Sequence, residues 1–206
     1  MRQVSGRSFT WLDHLLCWTL VALATAWAYH PYFFGDEIIQ FRDIAGSQGF
    51  LDALRRMSEY KPRMVYNTLW AWGLTDEWAR WQFAAVSAAS MAAVCSLVAL
   101  MARHWFGASR LLTWVLVTSV LVSRFAAMLY FDYIAGLIES MSLMCFLASL
   151  WVSVTAVRTR ALPAMLLAVL LAVTAVLVHE RYVAATFALG VAICGWVAWR
   201  LPSGGR

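Results

Sequence analysis

Long apolar runs with at most one charged residue each dominate the chain and alternate with shorter polar segments. Six such runs can be separated, at about 9–29, 81–102, 111–130, 134–157, 161–178 and 183–199. A helix rises about 1.5 Å per residue, so about 20 residues cross a hydrocarbon layer of about 30 Å, a length that the last two runs only just reach. The pattern predicts an all-α fold, a polytopic membrane helical bundle of about six spans that forms a single transmembrane domain over residues 1–206.

One long segment, about 31–80, separates the first two runs, and its apolar content argues against disorder. In GFLDALRRMSEY, the charged residues lie mostly opposite four apolar residues at helical spacing, namely Phe50, Leu51, Leu54 and Met57. This pattern predicts an amphipathic juxtamembrane helix on the membrane surface. Pro62 ends that helix, and RMVYNTLWAWGL predicts a second interfacial helix. The segment supplies tryptophans suited to the headgroup belt, namely Trp70, Trp72, Trp78 and Trp81. The alternative interpretation is a structural loop packed over the spans.

Arginines and carboxylates fall on opposite sides of the predicted spans. If the N-terminus is inside, eight arginines and no acidic residue occupy the inner segments 1–8, 103–110, 158–160 and 200–206. The outer segments then hold ten of the 11 acidic residues, and Asp13 lies near the inner end of the first span. Because cytoplasmic loops are enriched in Lys and Arg, we expect a multi-pass inner-membrane protein with cytoplasmic termini and an external, periplasmic active face.

The composition narrows the function classes. The chain has 63% hydrophobic and 13% charged residues, whereas soluble domains average about half apolar and a quarter charged. A soluble enzyme, a disordered chain and a disulfide-rich scaffold are thereby excluded. The net charge of +5 does not indicate a nucleic-acid partner, because about half of the basic residues lie between apolar runs as topology signals. The cysteines lie inside apolar runs and are interpreted as packing residues, namely Cys17, Cys95, Cys145 and Cys194.

Adjacent carboxylates follow the first span in the stretch FFGDEIIQF. Asp36 and Glu37 come after Phe33, Phe34 and a glycine. Apolar surroundings disfavour the charged form of a carboxylate and raise its pKa, which suits it to act as a general base. Asp36 and Glu37 are therefore candidate catalytic residues. The alternatives are a solvated loop carboxylate and a helix N-cap.

A second polar group interrupts the apolar runs in VLVHERYVAA. His179, Glu180 and Arg181 stand together at a span boundary, where they must be solvated, paired or lining a cavity. The alternative is an ordinary outer turn, although the segment contains no Gly, Pro, Asn or Ser.

Two further candidates lie near the predicted outer ends of spans. Asp132 and Glu139 are seven residues apart, so they share a face if the segment is helical, and Glu139 then lies in the outer part of the fourth span. Alternatively, both satisfy Arg124. In KPR, Lys61 and Arg63 could hold a phosphate or could anchor the surface helices at the headgroups.

This layout resembles the GT-C superfamily of polyprenyl-phosphate-sugar-dependent membrane glycosyltransferases. In that family a first span is followed by an outer loop with an acidic pair, by amphipathic juxtamembrane helices and by further spans. The corresponding stretches here read FFGDEIIQF, GFLDALRRM and KPRMVYNTLWAW, and VHERYVA is similar to a later motif of such enzymes at the outer end of a span. These enzymes are usually longer, so the resemblance implies a compact or truncated member, or a degenerate relative without activity.

The resemblance also implies roles for the candidate residues. Asp36 would be the general base for the acceptor, with Glu37 beside it, and Arg63, His179 or Arg181 would hold the donor phosphate. Further substrate-binding candidates are Lys61, Glu180 and Asp132. The partners would be a lipid-linked sugar donor, a glycan or lipid acceptor and the membrane lipids. A divalent cation, Mg²⁺ or Mn²⁺, could bridge carboxylate and phosphate, but the sequence does not require one.

Two functions of other classes stay open. A small transporter or flippase would use Arg124, Asp132 and Glu139 as a substrate path, with charges deep in the spans. A non-catalytic membrane subunit would use Trp-rich and small-residue faces, such as AAVSAASMAAVC, for helix packing.

Overall fold

A computed structural model of the chain describes residues 10–29, 46–60, 63–75, 80–123, 126 and 133–200. Helices and the turns between them account for these residues, and no strand occurs among them. The helices are α1 (Trp11–Ala28), α2 (Phe50–Tyr60), α3 (Met64–Thr75), α4 (Arg80–Phe106), α5 (Arg110–Leu121), α6 (Tyr133–Thr159), α7 (Leu162–Val178) and α8 (Tyr182–Arg200). The prediction of an all-α fold is confirmed.

Three helical stretches are long and apolar enough to cross a membrane, namely Trp11–Ala28, Trp81–Phe106 and Gly136–Thr159. They lie in three of the six predicted spans and support membrane association. Of the helices in the other three runs, α7 has 17 residues and α5 ends after 12 residues at Leu121. Twelve residues rise only about 18 Å, so the predicted third span, 111–130, is not one continuous helix. The count of six spans stays a prediction.

The long helices pack side by side and define two ends of the bundle. Helix α4 contacts α1, α5 and α6, while α6 contacts α7. At one end α4 passes into α5 through a left-handed Gly107, whose N–H donates to the Arg103 carbonyl while Ala108 N–H donates to the Ala102 carbonyl. These two hydrogen bonds, together with the left-handed glycine, end the helix. The Ser109 hydroxyl then accepts from Leu112 N–H and begins α5.

A buried ionic group joins α1 to α5 at that end. The buried Asp13 carboxylate accepts hydrogen bonds from Arg110 Nη2 at 2.6 Å and from Trp114 Nε1 at 3.0 Å. It also accepts from the backbone N–H of Thr10 at 2.8 Å. A charge in an apolar bundle is tolerated only when its lone pairs are used in this way. Asp13, the one acid on the predicted inner side, therefore holds two helices together.

Helices α2 and α3 cover the opposite end. Their apolar sides pack against the first turns of α4 and α6 and the last turn of α7 in a buried cluster of Ala53, Tyr66, Trp70, Ala71, Phe83, Leu137, Ile138 and Val178. Both helices appear where the sequence predicts them. On α2, the side chains of Phe50, Leu54 and Met57 pack on this cluster, while Leu51 is exposed. The apolar face thus contacts protein, as the alternative of an element packed over the spans implies.

The tryptophans of this segment divide into two groups. Trp70 is fully buried, with ring centroids 6.3 Å from Tyr66 and 4.2 Å from Phe83. Its assignment to the headgroup belt is therefore wrong, because its side of α3 faces the bundle. Trp72 and Trp81 are more than half exposed and keep that assignment as a prediction, while Trp78 lies outside the described residues. Cys17, Cys95 and Cys145 are buried with free thiols, as expected of packing residues.

Candidate functional site

The structure brings together four of the eight residues that the sequence singles out as catalytic or substrate-binding. Arg63, His179, Glu180 and Arg181 meet at the end of the bundle that α2 and α3 cover. Glu139 joins them. We call these five side chains the ionic cluster. The other four candidates, Asp36, Glu37, Lys61 and Asp132, lie outside the described residues, as does Arg124.

The turn between α7 and α8 presents three members of the ionic cluster. Helix α7 ends because His179 takes an extended conformation, with φ −146° and ψ 119°. Tyr182 N–H donates to the His179 carbonyl and Val183 N–H to the Glu180 carbonyl, each at 3.1 Å, and α8 begins. The segment has none of the usual turn residues, so its side-chain ion pairs supply the constraint that glycine or proline supplies elsewhere.

Arg63 and Glu180 form a two-pronged ion pair across 117 residues of sequence. Arg63 Nε donates to Glu180 Oε2 at 2.7 Å, and Nη2 donates to Oε1 at 2.8 Å. The Arg63 side chain is only 14% exposed. This guanidinium lowers the pKa of the Glu180 carboxyl to about 2, and the hydrogen bonds to Glu180 raise the pKa of Arg63. The pair ties the start of α3 to the α7–α8 turn.

Glu139 is the member that the sequence placed with other partners. It lies near the start of α6, where its Oε1 accepts from Arg181 Nη1 at 2.9 Å and lies 3.4 Å from His179 Nε2. The sequence analysis linked Glu139 to Asp132 or Arg124, which lie outside the described residues, so that interpretation stays a prediction. One signal could have indicated the contacts with His179 and Arg181, since the predicted topology puts Glu139 and the HER stretch at outer ends of neighbouring spans. Arg181 remains 75% exposed and can reach an anion outside the bundle.

His179 is the buried centre of the ionic cluster. Its side chain is only 4% exposed, and its Nδ1 accepts from the Arg181 backbone N–H at 3.3 Å. The tautomer that satisfies its contacts carries the proton on Nε2, facing Glu139. Burial lowers the pKa of His179, and the negative charge of Glu139 opposes that shift. The ring is therefore neutral near pH 7.

The charged side chains of the ionic cluster are paired with one another. Both of its carboxylates already face arginines, and within the described part of the chain no group of three or more His, Cys, Asp or Glu side chains could hold a metal ion. The predicted divalent cation stays a prediction, since Asp36 and Glu37 are outside that part. The exposed guanidinium of Arg181, which is positioned by its ion pair with Glu139, can contact an anion at this end of the bundle. Comparison of the chain with protein-family models, curated proteins and solved structures finds no match.

Proposed function

We propose that the chain is an integral-membrane, GT-C-type glycosyltransferase with about six spans in the inner membrane and cytoplasmic termini. It moves a sugar from a polyprenyl-phosphate donor to a glycan or lipid acceptor on the external, periplasmic face. One observation carries this proposal. Arg63 of the KPR stretch and the HER residues, far apart in sequence, form a single ionic cluster at the start of α3, at the bundle end that α2 and α3 cover.

The chemistry of sugar transfer matches the residues available at this end. Transfer needs a carboxylate that accepts the proton of the acceptor hydroxyl and cations that stabilise the departing phosphate. Asp36 comes seven positions after Tyr29, the residue that caps the C-terminal end of α1. Asp36 is the proposed base, with Glu37 orienting the acceptor or binding a cation. Arg181 is the exposed phosphate contact.

The placement of charges favours an enzyme over a transporter. A substrate path across the bilayer would need polar or charged groups in the middle of the spans. Between Arg80 and Arg103 on α4, and between Glu139 and Arg158 on α6, the sequence has no charged residue. The charges instead lie near helix ends, where a lipid-linked substrate presents its phosphate.

A transfer assay tests the proposal. Membranes that contain the parent chain, Asp36→Asn or Arg181→Ala are supplied with labelled sugar on a polyprenyl-phosphate donor. Asp36→Asn keeps the side-chain shape and removes the basicity, so transfer should fall by about 10²–10⁴. Arg181→Ala removes a charge-assisted contact and should raise the donor KM about ten- to a hundredfold.

The control is Arg55→Ala, because Arg55 is an exposed arginine on α2 that pairs with Glu59, away from the ionic cluster. It should transfer sugar at the parent's rate. Full activity in Asp36→Asn would remove the assignment of the base. Absence of transfer by a well-expressed parent would favour the non-catalytic subunit.

A further inference from the structure

The formal charges of the ionic cluster cancel. Arg63 and Arg181 contribute two positive charges, Glu139 and Glu180 contribute two negative charges, and the buried His179 is neutral. A phosphate group that approaches Arg181 adds a negative charge to a balanced and partly buried group. Such a charge is costly in low-dielectric surroundings unless another charge compensates it.

His179 lies where a compensating proton would be stabilised. Its Nε2 is 3.4 Å from Glu139 Oε1, and its Nδ1 is 3.4 Å from Glu180 Oε2. A neutral imidazole has one N–H and can donate to only one of these carboxylates, whereas the imidazolium can donate to both. Protonation of Nδ1 gives up the 3.3 Å bond that it accepts from the Arg181 backbone N–H, so the turn must adjust slightly.

We infer that a phosphate group binds the ionic cluster together with one proton, which His179 takes up from water. This inference rests on the proposed function, because the phosphate meant is that of the lipid-linked donor.

The contacts around His179 indicate how phosphate binding leads to protonation of the ring. The charged groups facing the ring are Glu139 from α6, Arg63 from the segment before α3, and Glu180 and Arg181 from the turn. The anion competes with Glu139 for the Arg181 guanidinium. As Arg181 turns to the phosphate, Glu139 loses its counter-charge and is left to pair with a protonated His179. Burial keeps the ring neutral only while the phosphate is absent.

Linkage between the two binding events predicts a pH-dependent affinity. If one proton is taken up on binding, the Kd for phosphate rises up to about tenfold per pH unit between the pKa that His179 has in the free protein and the higher pKa that it has in the complex. The ligand must itself keep a constant charge in this range. A phosphodiester meets that condition, and so does the phosphate of the sugar-loaded donor.

The experiment is calorimetric titration of the full chain in nanodiscs of neutral lipid between pH 5.5 and 8.5. Two probes, dimethyl phosphate and a polyprenyl methyl phosphodiester, distinguish a free anion from a lipid-linked one. Titrations in buffers with different ionisation enthalpies give the number of protons taken up, which should approach one. In parallel, the ¹⁵N resonances of the His179 ring should move to imidazolium positions when the diester is added at pH 7, a readout that needs no variant.

Three variants locate the proton and the anion. His179→Gln keeps a hydrogen-bonding side chain without a titratable ring, so it should bind the diester with no proton uptake and no pH slope. His104→Gln, at the opposite end of the bundle, is the control and should retain the parent's uptake. Arg181→Ala should weaken binding of the diester about ten- to a hundredfold.

The outcomes separate this inference from the proposed function. Binding by the parent without proton uptake, uptake that survives in His179→Gln, or unchanged His179 resonances would overturn the inference and leave the donor role intact. Undiminished binding by Arg181→Ala would overturn it as well. If the parent binds neither diester at any pH, the donor-binding role itself fails and the inference falls with it.

Discussion

His179 illustrates what the tertiary structure adds at the scale of one residue. The sequence places it in a polar group between two apolar runs, where it could equally be solvated. In the structure it is buried between two carboxylates, one adjacent in sequence and one on α6. Its pKa is lowered because burial destabilises the charged ring more than the nearby carboxylate of Glu139 stabilises it. The same side chain is thus neutral at rest and placed to take a proton.

The first prediction concerns the pH dependence of folding stability. Because the pKa of His179 is lower in the folded protein than its ordinary value of 6.5, the unfolded chain binds more protons just below pH 6.5. The free energy of unfolding therefore falls as pH drops below about 6.5 toward 5, and above that range the contribution of His179 is fully present. Thermal unfolding of the detergent-solubilised chain at several pH values measures this slope.

His179→Gln is the comparison for that measurement and should show a shallower slope over the same window. Glu180 does not affect this slope. Its pKa is lowered from 4.5 to about 2 in the folded protein, so its contribution to the free energy of unfolding changes mainly below pH 4.5. An equal slope in the parent and in His179→Gln would contradict the prediction.

At the scale of the elements, α2 and α3 show why an amphipathic pattern does not identify its partner. An apolar stripe is satisfied by lipid, by the body of the protein or by both. Here the stripe of α2 and the Trp70 side of α3 pack on the ends of α4, α6 and α7, while the exposed Trp72 lies on another side. The two helices are therefore a fixed part of the bundle end, and they hold Arg63 against Glu180.

The second prediction separates these two faces of α3. Trp70→Ala leaves a large cavity between Tyr66 and Phe83 and should destabilise the fold by about 3–5 kcal/mol. Trp72→Ala, the matched control, changes an exposed side chain and should stay within about 0.5 kcal/mol of the parent. Thermal unfolding gives the difference, and tryptic cleavage at the exposed Arg55 and Arg56 should quicken only in Trp70→Ala. Equal effects of the two substitutions would mean that α3 is not packed as described.

At the scale of the whole molecule, the two ends of the bundle differ in charge. The end with Asp13 carries Arg103, Arg110, Arg158 and Arg160, and its one described acid is buried against Arg110. The end covered by α2 and α3 carries the ionic cluster and the acids of α2. This asymmetry resembles the excess of Lys and Arg in cytoplasmic segments, and on that ground we predict that the ionic cluster lies on the external side.

The third prediction tests that orientation. Reporter tags at the N-terminus, in the Arg103–Arg110 turn, near Arg158 and at the C-terminus should all report the cytoplasm, while a tag at Gly46 should report the outside. Paired alkaline phosphatase and green fluorescent protein fusions measure the two compartments with opposite signals. A cytoplasmic Gly46 would place the ionic cluster on the wrong face for a periplasmic donor. A C-terminal tag outside would change the span count of six.

The sequence by itself determined the helical class, the membrane character and the positions of most helices, because those depend on local periodicity and on the length of apolar runs. It marked Arg63 and the HER residues, since charges are costly beside apolar spans. Only the tertiary structure decided that α5 stops at Leu121, that Trp70 is buried, and that Glu139 pairs with Arg181, 42 residues away. Such pairings depend on which helix ends lie side by side, and a periodic pattern along one helix carries no information about its neighbours.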